Sequence, residues 1–326
     1  MRALSEHVAT ISTKKYAGRS SPRNGVAMAE PLHSRTHVAS YQCGSEPLVS
    51  IIIPYYNQPE FVIEAVLSAK RQTFSNVEII VVDDGSLIPA ESVLSDIGRI
   101  TIVRTENRGV SKARNTGFAM SSGDYLIFLD QDDRLSPNAI TAHLKALREK
   151  PEAGLSFGST RTIDAAGMEI RPPHICRPRK NYFHALLESN PVGPSPGAVM
   201  IPREVFIASG PFNASFSSMG EDYDLYLRIA RRHPLIQHAT CTLEYRKHNE
   251  CGSSDQERMF IGTMAVLDQL HDVLTESERR KLPLARSRWR HATRQRHTLL
   301  YRLWGLYFSF RAMLDVPVRH WLRSMK

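Results

Sequence analysis

Cysteine is scarce in this 326-residue chain, and the little there is carries no pattern. Cys43, Cys176, Cys241 and Cys251 form no CxxC pair and no zinc-ligand spacing, and four in a chain of this length make no disulfide framework. A reducing compartment suits them. Long apolar runs are lacking too. None reaches the roughly 18 residues needed to span a bilayer, and the leading MRALSEHVATISTKK has no apolar stretch of the export-signal kind. The expected location is therefore the cytoplasm. Internal repeats and low-complexity tracts are also absent.

Acidic residues are nearly missing from one end. From Arg279 onward, 13 Lys and Arg face a single acid, Asp315, so this segment is +12. The remainder, 29 basic against 32 acidic residues, is −3, and the sum is the net +9. The basic character belongs to the tail and not to the main body, which weakens the case for a basic nucleic-acid groove across the fold, and no nucleic-acid partner is expected. All three tryptophans, Trp289, Trp304 and Trp321, fall in the same tail. In LLYRLWGLYFSFRAML, apolar residues at 299, 303, 306, 307, 310, 313 and 314 form one helical face, with Arg302 and Arg311 off it. Such a helix either lies on an anionic membrane surface, peripheral on the inner face of the cytoplasmic membrane, or packs on the rest of the protein.

What is present divides the chain in three. Residues 1–46, rich in Ser, Arg, His and Gly and without a period, read as a flexible extension. Residues 47–255 read as the globular domain, and 256–326 as a helical, basic, amphipathic extension. At 42% hydrophobic, the chain has enough apolar material for a large core.

Within the domain, VSIIIP, VEIIVVD, ITIVRTE and YLIFLD are continuously apolar strands, and PEFVIEAVLSAKRQ has helical spacing at 61, 62, 65, 66 and 69. Strand alternating with helix, with strands apolar on both faces, predicts a mostly parallel α/β sheet of Rossmann-like form flanked by helices. In such sheets ligands bind at the carboxyl ends of the strands. Three polar clusters fall there: Pro54-Tyr55-Tyr56-Asn57, Asp83-Asp84-Gly85-Ser86 and Asp130-Gln131-Asp132-Asp133.

Carboxylates crowded together repel one another unless a cation or hydrogen-bond donors compensate them. Asp130 and Asp132, one residue apart, suit a hard divalent ion, Mn²⁺ or Mg²⁺, that itself holds a diphosphate. The same loop also reads as an acidic cap for the helix that starts near Ser136. Asp84 reads either as a turn residue or as an acceptor for sugar or base hydroxyls. Arg114, near the start of a helix, suits a phosphate or an ion pair with a nearby acid.

Taken together, IIIPYYNQ, EIIVVDDGS, ENRGVSKARNTG, YLIFLDQDD and GEDYDLYLRIA resemble, in order and spacing, the family 2 nucleotide-sugar glycosyltransferases of GT-A fold, over about residues 48–250. The resemblance implies a donor pocket with Pro54, Tyr55, Tyr56 and Asn57 at the base, and with Asp84, Ser86, Arg114, Asp130 and Gln131 around the ribose and diphosphate. It implies a metal site of Asp132, Asp130 and His248. Glu221 and Asp222 match the family's ED motif, whose aspartate is the general base on the acceptor hydroxyl. The implied activity is metal-dependent transfer, with inversion, from a UDP-linked sugar to a saccharide, glycolipid or protein acceptor, in surface polysaccharide or glycolipid synthesis. The loop at 191–202 is expected to border the acceptor and donor sugar. Two alternatives stand beside this reading: a phosphatase of the haloacid dehalogenase type, which also carries DxD after an apolar strand, and a sugar-nucleotide-binding protein without catalysis.

Overall fold

The computed structural model describes residues 46–174, 177–216, 219–248, 255–271 and 274–292. The N-terminal extension up to residue 45 and the amphipathic stretch 299–314 lie outside the described residues.

β1 (Val49–Tyr55) is buried along its whole length, as a strand at the centre of a doubly covered sheet must be. α1 (Pro59–Lys70) starts on a proline, whose fixed φ suits a first helical turn, and buries Val62, Ala65, Val66 and Ala69. Then follow β2 (Val77–Asp83), α2 (Ala90–Leu94), β3 (Thr101–Arg104), α3 (Val110–Met120) and β4 (Tyr125–Phe128). β1 pairs in parallel with β2 and β4, and β2 with β3, so Tyr55, Asp83 and Arg104 stand abreast at the carboxyl ends.

The second half adds β5 (Arg134–Leu135), α4 (Ala139–Glu149), β6 (Leu155–Ile163), β7 (Glu169–His174) and α5 (Tyr182–Glu188). After a 3₁₀ turn at Pro196–Ala198 come β8 (Val199–Pro202), α6 (Arg203–Ser209), α7 (Glu221–Ala230) and β9 (Leu235–Arg246). The strand order is β3-β2-β1-β4-β8-β6-β9-β5, with β7 on β6. β8 runs antiparallel to both β4 and β6, while β6 and β9 are parallel. The result is the expected α/β architecture, a curled sheet flanked by helices, with the parallel alternation concentrated in its first half.

The pleat of β1 divides the core. Ile51 and Ile53 pack with α1 and α4 on one face, and Ile52 packs with Phe128 and the helices of the second half on the other. The chain continues in α8 (Gln256–Leu270), α9 (Glu276–Arg279) and α10 (Leu282–Ala292). Phe260, Met264, Leu267, Leu282 and Ala285 are buried in the same cluster as Leu225 and Leu227 of α7, with Trp289 packed against it. Burial of each large apolar side chain is worth roughly 1.5–3 kcal/mol, so these helices are part of the domain core up to Trp289. Among the described residues no helix is long and apolar enough to cross a membrane.

Candidate active site

The three polar clusters meet as the sheet geometry requires. Pro54, Tyr55 and Tyr56 from the end of β1, Asp84 from β2, and Asp130, Gln131 and Asp132 from β4 line one cavity of about 550 Å³. Arg114 of α3 and the paired acids Glu221 and Asp222 of α7 close it, together with Gly193, Pro194 and Pro196 of the expected loop. The volume is that of a small-molecule site at strand ends.

Its floor is stitched by side-chain amides. Gln131 accepts from the Tyr56 N–H at 2.6 Å and donates to the Tyr56 carbonyl at 3.1 Å and to Gln58 Oε1 at 2.7 Å. Asn57 and Ser86 do not line the cavity. The Ser86 hydroxyl accepts from the Asn57 N–H at 3.1 Å, and Asn57 Oδ1 accepts from the Leu87 N–H at 2.6 Å, so the two residues hold the β1 and β2 loops together behind the wall. Asp83 is fully buried and accepts from the Ser86 and Ala90 N–H groups and from Arg104. Asp84 accepts from the N–H groups of Arg108 and Gly109 at 2.9 and 2.8 Å, which fixes the approach to α3.

Arg114 ties the two halves of the cavity together. Its Nη2 donates to Asp130 Oδ1 at 2.6 Å and its Nη1 to Glu221 Oε1 at 2.9 Å. Only 3% of the residue is exposed. Two local devices place it. A Cβ on Gly117 would lie 2.3 Å from Ile52 Cγ2, so glycine there lets α3 press onto the sheet beside the strand ends. One residue after Arg114, Asn115 exchanges two hydrogen bonds with the Phe212 backbone, and the Phe212 ring then lies 5.1 Å under the guanidinium. The carboxylates of Asp130 and Glu221 hold the Arg114 proton more tightly than usual, against the effect of burial.

The Asp130–Asp133 loop has its own support. Asp132 Oδ2 is 3.0 Å from His248 Nε2, and the His248 ring rests 5.0 Å from Phe61. Asp133 does not line the cavity and accepts from the Arg246 N–H at 2.9 Å. Arg246 is fully buried: it donates to the Asp132 carbonyl at 2.8 Å and to the Ala165 carbonyl at 2.7 Å, pairs with Glu64, and lies over Phe61. Arg246 and Ser195, whose hydroxyl donates to Asp130 Oδ2 at 3.3 Å, are site residues that the sequence did not single out. An arginine inside a strand and a serine in a Pro-Gly loop look like surface residues until their partners are known.

Burial, reinforced by neighbouring carboxylates, pushes the carboxyls of Asp130 and Asp133 above their usual range. Among the described residues no three His, Cys, Asp or Glu side chains are grouped to hold a metal ion. The donor set is a pair, Asp132 with His248, beside Asp130. That chemistry fits a hard cation that takes one or two carboxylates and fills its remaining positions with phosphate oxygens and water.

Across the cavity stands Asp222. Burial and then the Glu221 carboxylate push it up to about 7, against the pull of Arg114. A carboxyl with a pKa near neutrality is suited to take a proton from a substrate. Its Oδ1 accepts from the Tyr223 N–H at 2.7 Å in the first turn of α7, where the helix dipole favours acids.

Known proteins resemble this chain in sequence and in fold. Residues 50–210 match the family model described as Glycosyl transferase family 2. An uncharacterized glycosyltransferase of Rickettsia felis is 33% identical over 213 residues, which are 64% of this chain and 35% of that protein. One from Haemophilus influenzae is 30% identical over 185 residues, 56% of this chain and 62% of the relative. The chondroitin synthase of Escherichia coli is 29% identical over 194 residues, 58% of this chain and 27% of the synthase. The chain thus spans between 27% and 62% of these relatives' lengths. Among solved structures, residues 1–349 of S. aureus TarS superpose with a TM-score of 0.57 at 14% identity, covering 75% of this chain and 72% of that one. The same protein in complex with UDP-GlcNAc gives 0.56 at 15%, covering 72% and 70%.

Proposed function

The chain belongs to glycosyl transferase family 2, and on that premise we propose that it moves a sugar from a nucleoside diphosphate sugar, UDP-linked, to an acceptor hydroxyl with inversion at the anomeric carbon. One observation carries this reading: a single cavity has a carboxylate-rich wall at Asp130 and Asp132 and, facing it, a carboxyl poised near neutrality at Asp222, with Arg114 spanning the two.

In this reading Pro54, Tyr55, Tyr56 and Asp84 receive the base and ribose, and Gln131 keeps their loop in register. Asp132 and His248, with Asp130 beside them, would hold Mn²⁺ or Mg²⁺, whose chemistry is to neutralise a departing diphosphate. Asp222 accepts the proton of the acceptor hydroxyl, and Glu221 fixes Arg114 against Asp130. Two neighbours support the substrate classes. TarS has been solved with UDP-GlcNAc, in line with a UDP-linked donor, and the chondroitin synthase relative is in line with a role in polysaccharide or glycolipid synthesis. The +12 segment favours action at the inner face of an anionic membrane. The phosphatase alternative needs Asp130 as a free nucleophile, whereas Arg114 and Ser195 each engage one of its oxygens. Calorimetric titration of UDP-, GDP- and dTDP-sugars with Mn²⁺ tests the reading. Binding of none of them, or binding with no sugar transfer and no hydrolysis, would overturn it.

A further inference from the structure

Past residue 210, where the family match ends, the cavity is bounded by the turn before α7 and by α8. A Cβ on Gly262 would lie 2.3 Å from the Met219 carbonyl oxygen, and one on Gly220 would lie 3.2 Å from the Gly262 carbonyl carbon. Only a pair of glycines lets α8 sit this close to the turn that presents Glu221 and Asp222. Seated there, α8 brings Met259 and Thr263 to the cavity beside Met219 and Tyr223.

The polar ends on this wall are already occupied. The Thr263 hydroxyl donates to the Met259 carbonyl at 2.9 Å, and the Tyr223 hydroxyl donates to the Leu186 carbonyl at 2.6 Å. What remains toward the cavity is methyl, thioether and ring surface, soft and polarizable. Charge around the cavity is one-sided. Asp84, Asp130, Asp132, Glu221 and Asp222 line it against one cation, Arg114, whose terminal nitrogens both have carboxylate partners. The neighbouring sequences 217–218 and 249–254, Ser-Ser and NECGSS, contain no Lys or Arg.

We infer that α8 is the acceptor wall, that Met259 and Thr263 determine acceptor choice, and that the hydroxyl presented to Asp222 belongs to an uncharged ring. The inference rests on the donor reading above and adds the acceptor's chemistry. A saccharide ring can lay its C–H face on Met219, Met259 and Tyr223. A uronate or phosphate placed beside Glu221 and Asp222 meets like charge, and the one cation that lines the cavity among the described residues, Arg114, is already held by two carboxylates.

The test uses the full chain with Mn²⁺ and UDP-GlcNAc, or whichever sugar nucleotide the donor titration selects, and follows UDP release. Octyl β-D-glucoside and octyl β-D-galactoside are compared with octyl β-D-glucuronide. At least one uncharged glycoside should raise kcat/KM about tenfold or more above the glucuronide, and Met259→Lys should narrow that ratio about tenfold. A glucuronide as effective as the neutral glycosides overturns the inference, as does an unchanged ratio in the lysine variant. It is overturned equally if no neutral glycoside stimulates an enzyme that binds its donor. Failure to bind any sugar nucleotide is a different result and strikes at the donor reading itself.

Discussion

Asp132 Oδ2 stands 3.0 Å from Nε2 of His248, a residue 116 positions later in the chain. The contact joins the loop after β4 to the segment just past β9, and in the proposed reading those two groups would hold the cation. Asp132→Asn removes a charge and a ligand while keeping the shape. Calorimetry should show Mn²⁺-dependent donor binding weakened at least about tenfold, with metal-independent binding little changed. Equal Mn²⁺ dependence in variant and parent would move the metal elsewhere.

Arg114 neutralises two carboxylates at once, and among the described residues neither has another cation paired with it. Arg114→Gln therefore leaves buried acid uncompensated. Urea unfolding at pH 7.5 should show a loss of about 3–5 kcal/mol, and Arg114→Lys should recover only part of it because an ammonium cannot span both acids in the fork geometry.

The pH behaviour turns on Asp222, held at about 7. In the proposed role of general base it must be ionised, so kcat/KM should fall on acidification below about 7, and Asp222→Asn should abolish transfer at every pH. Stability runs the other way. The folded-state pKa lies above the unfolded value, so the native state binds the extra proton between about pH 4 and 7, and stability contributed at low pH is lost as pH rises through that window. Asp222→Asn should then be more stable than the parent at pH 8, by on the order of 1–2 kcal/mol in thermal or urea unfolding. A less stable variant would contradict the raised pKa.

Arg246 supports the Asp130–Asp133 loop from behind, with acceptors at Asp132, Ala165 and Glu64. Arg246→Lys keeps the charge but cannot reach all three. Its expected signature is weaker Mn²⁺ affinity together with a destabilisation of about 2–4 kcal/mol, read by titration and by chemical unfolding of the same preparation. Unchanged metal affinity would mean that the buried arginine serves stability alone.

Strands, α1, α7 and the acidic rim were legible because they depend on local pattern: apolar runs of one length, helical spacing, acids at strand ends. The same local signal could not reveal the two-residue β5, which exists only because Arg134 and Leu135 find Glu244 and Leu243 on β9. Nor could it assign Asn57 and Ser86 to holding loops together, since a polar residue beside a pocket and one lining it look alike in sequence. Arg246 and Gly262 were hidden for a related reason. Each acts through groups contributed by distant parts of the chain.

Because Leu282 and Ala285 belong to the core and Trp289 packs against it, a test of membrane attachment should cut after residue 292 and not at 279. Co-sedimentation with vesicles containing phosphatidylglycerol should be strong for the full chain, should fall with added salt and should drop sharply in the 1–292 form. Equal sedimentation of both forms would remove the tail from the attachment.

The position of β9 between β6 and β5 has a consequence for synthesis on the ribosome. Asp133 emerges 113 residues before Arg246, the backbone group it binds. At about 5–20 residues per second, the acidic loop and β5 wait on the order of ten seconds for their partner strand. During that interval β5 has no sheet neighbour, because β9 is the strand it pairs with. Chaperone occupancy of nascent chains should accordingly persist until β9 has left the exit tunnel.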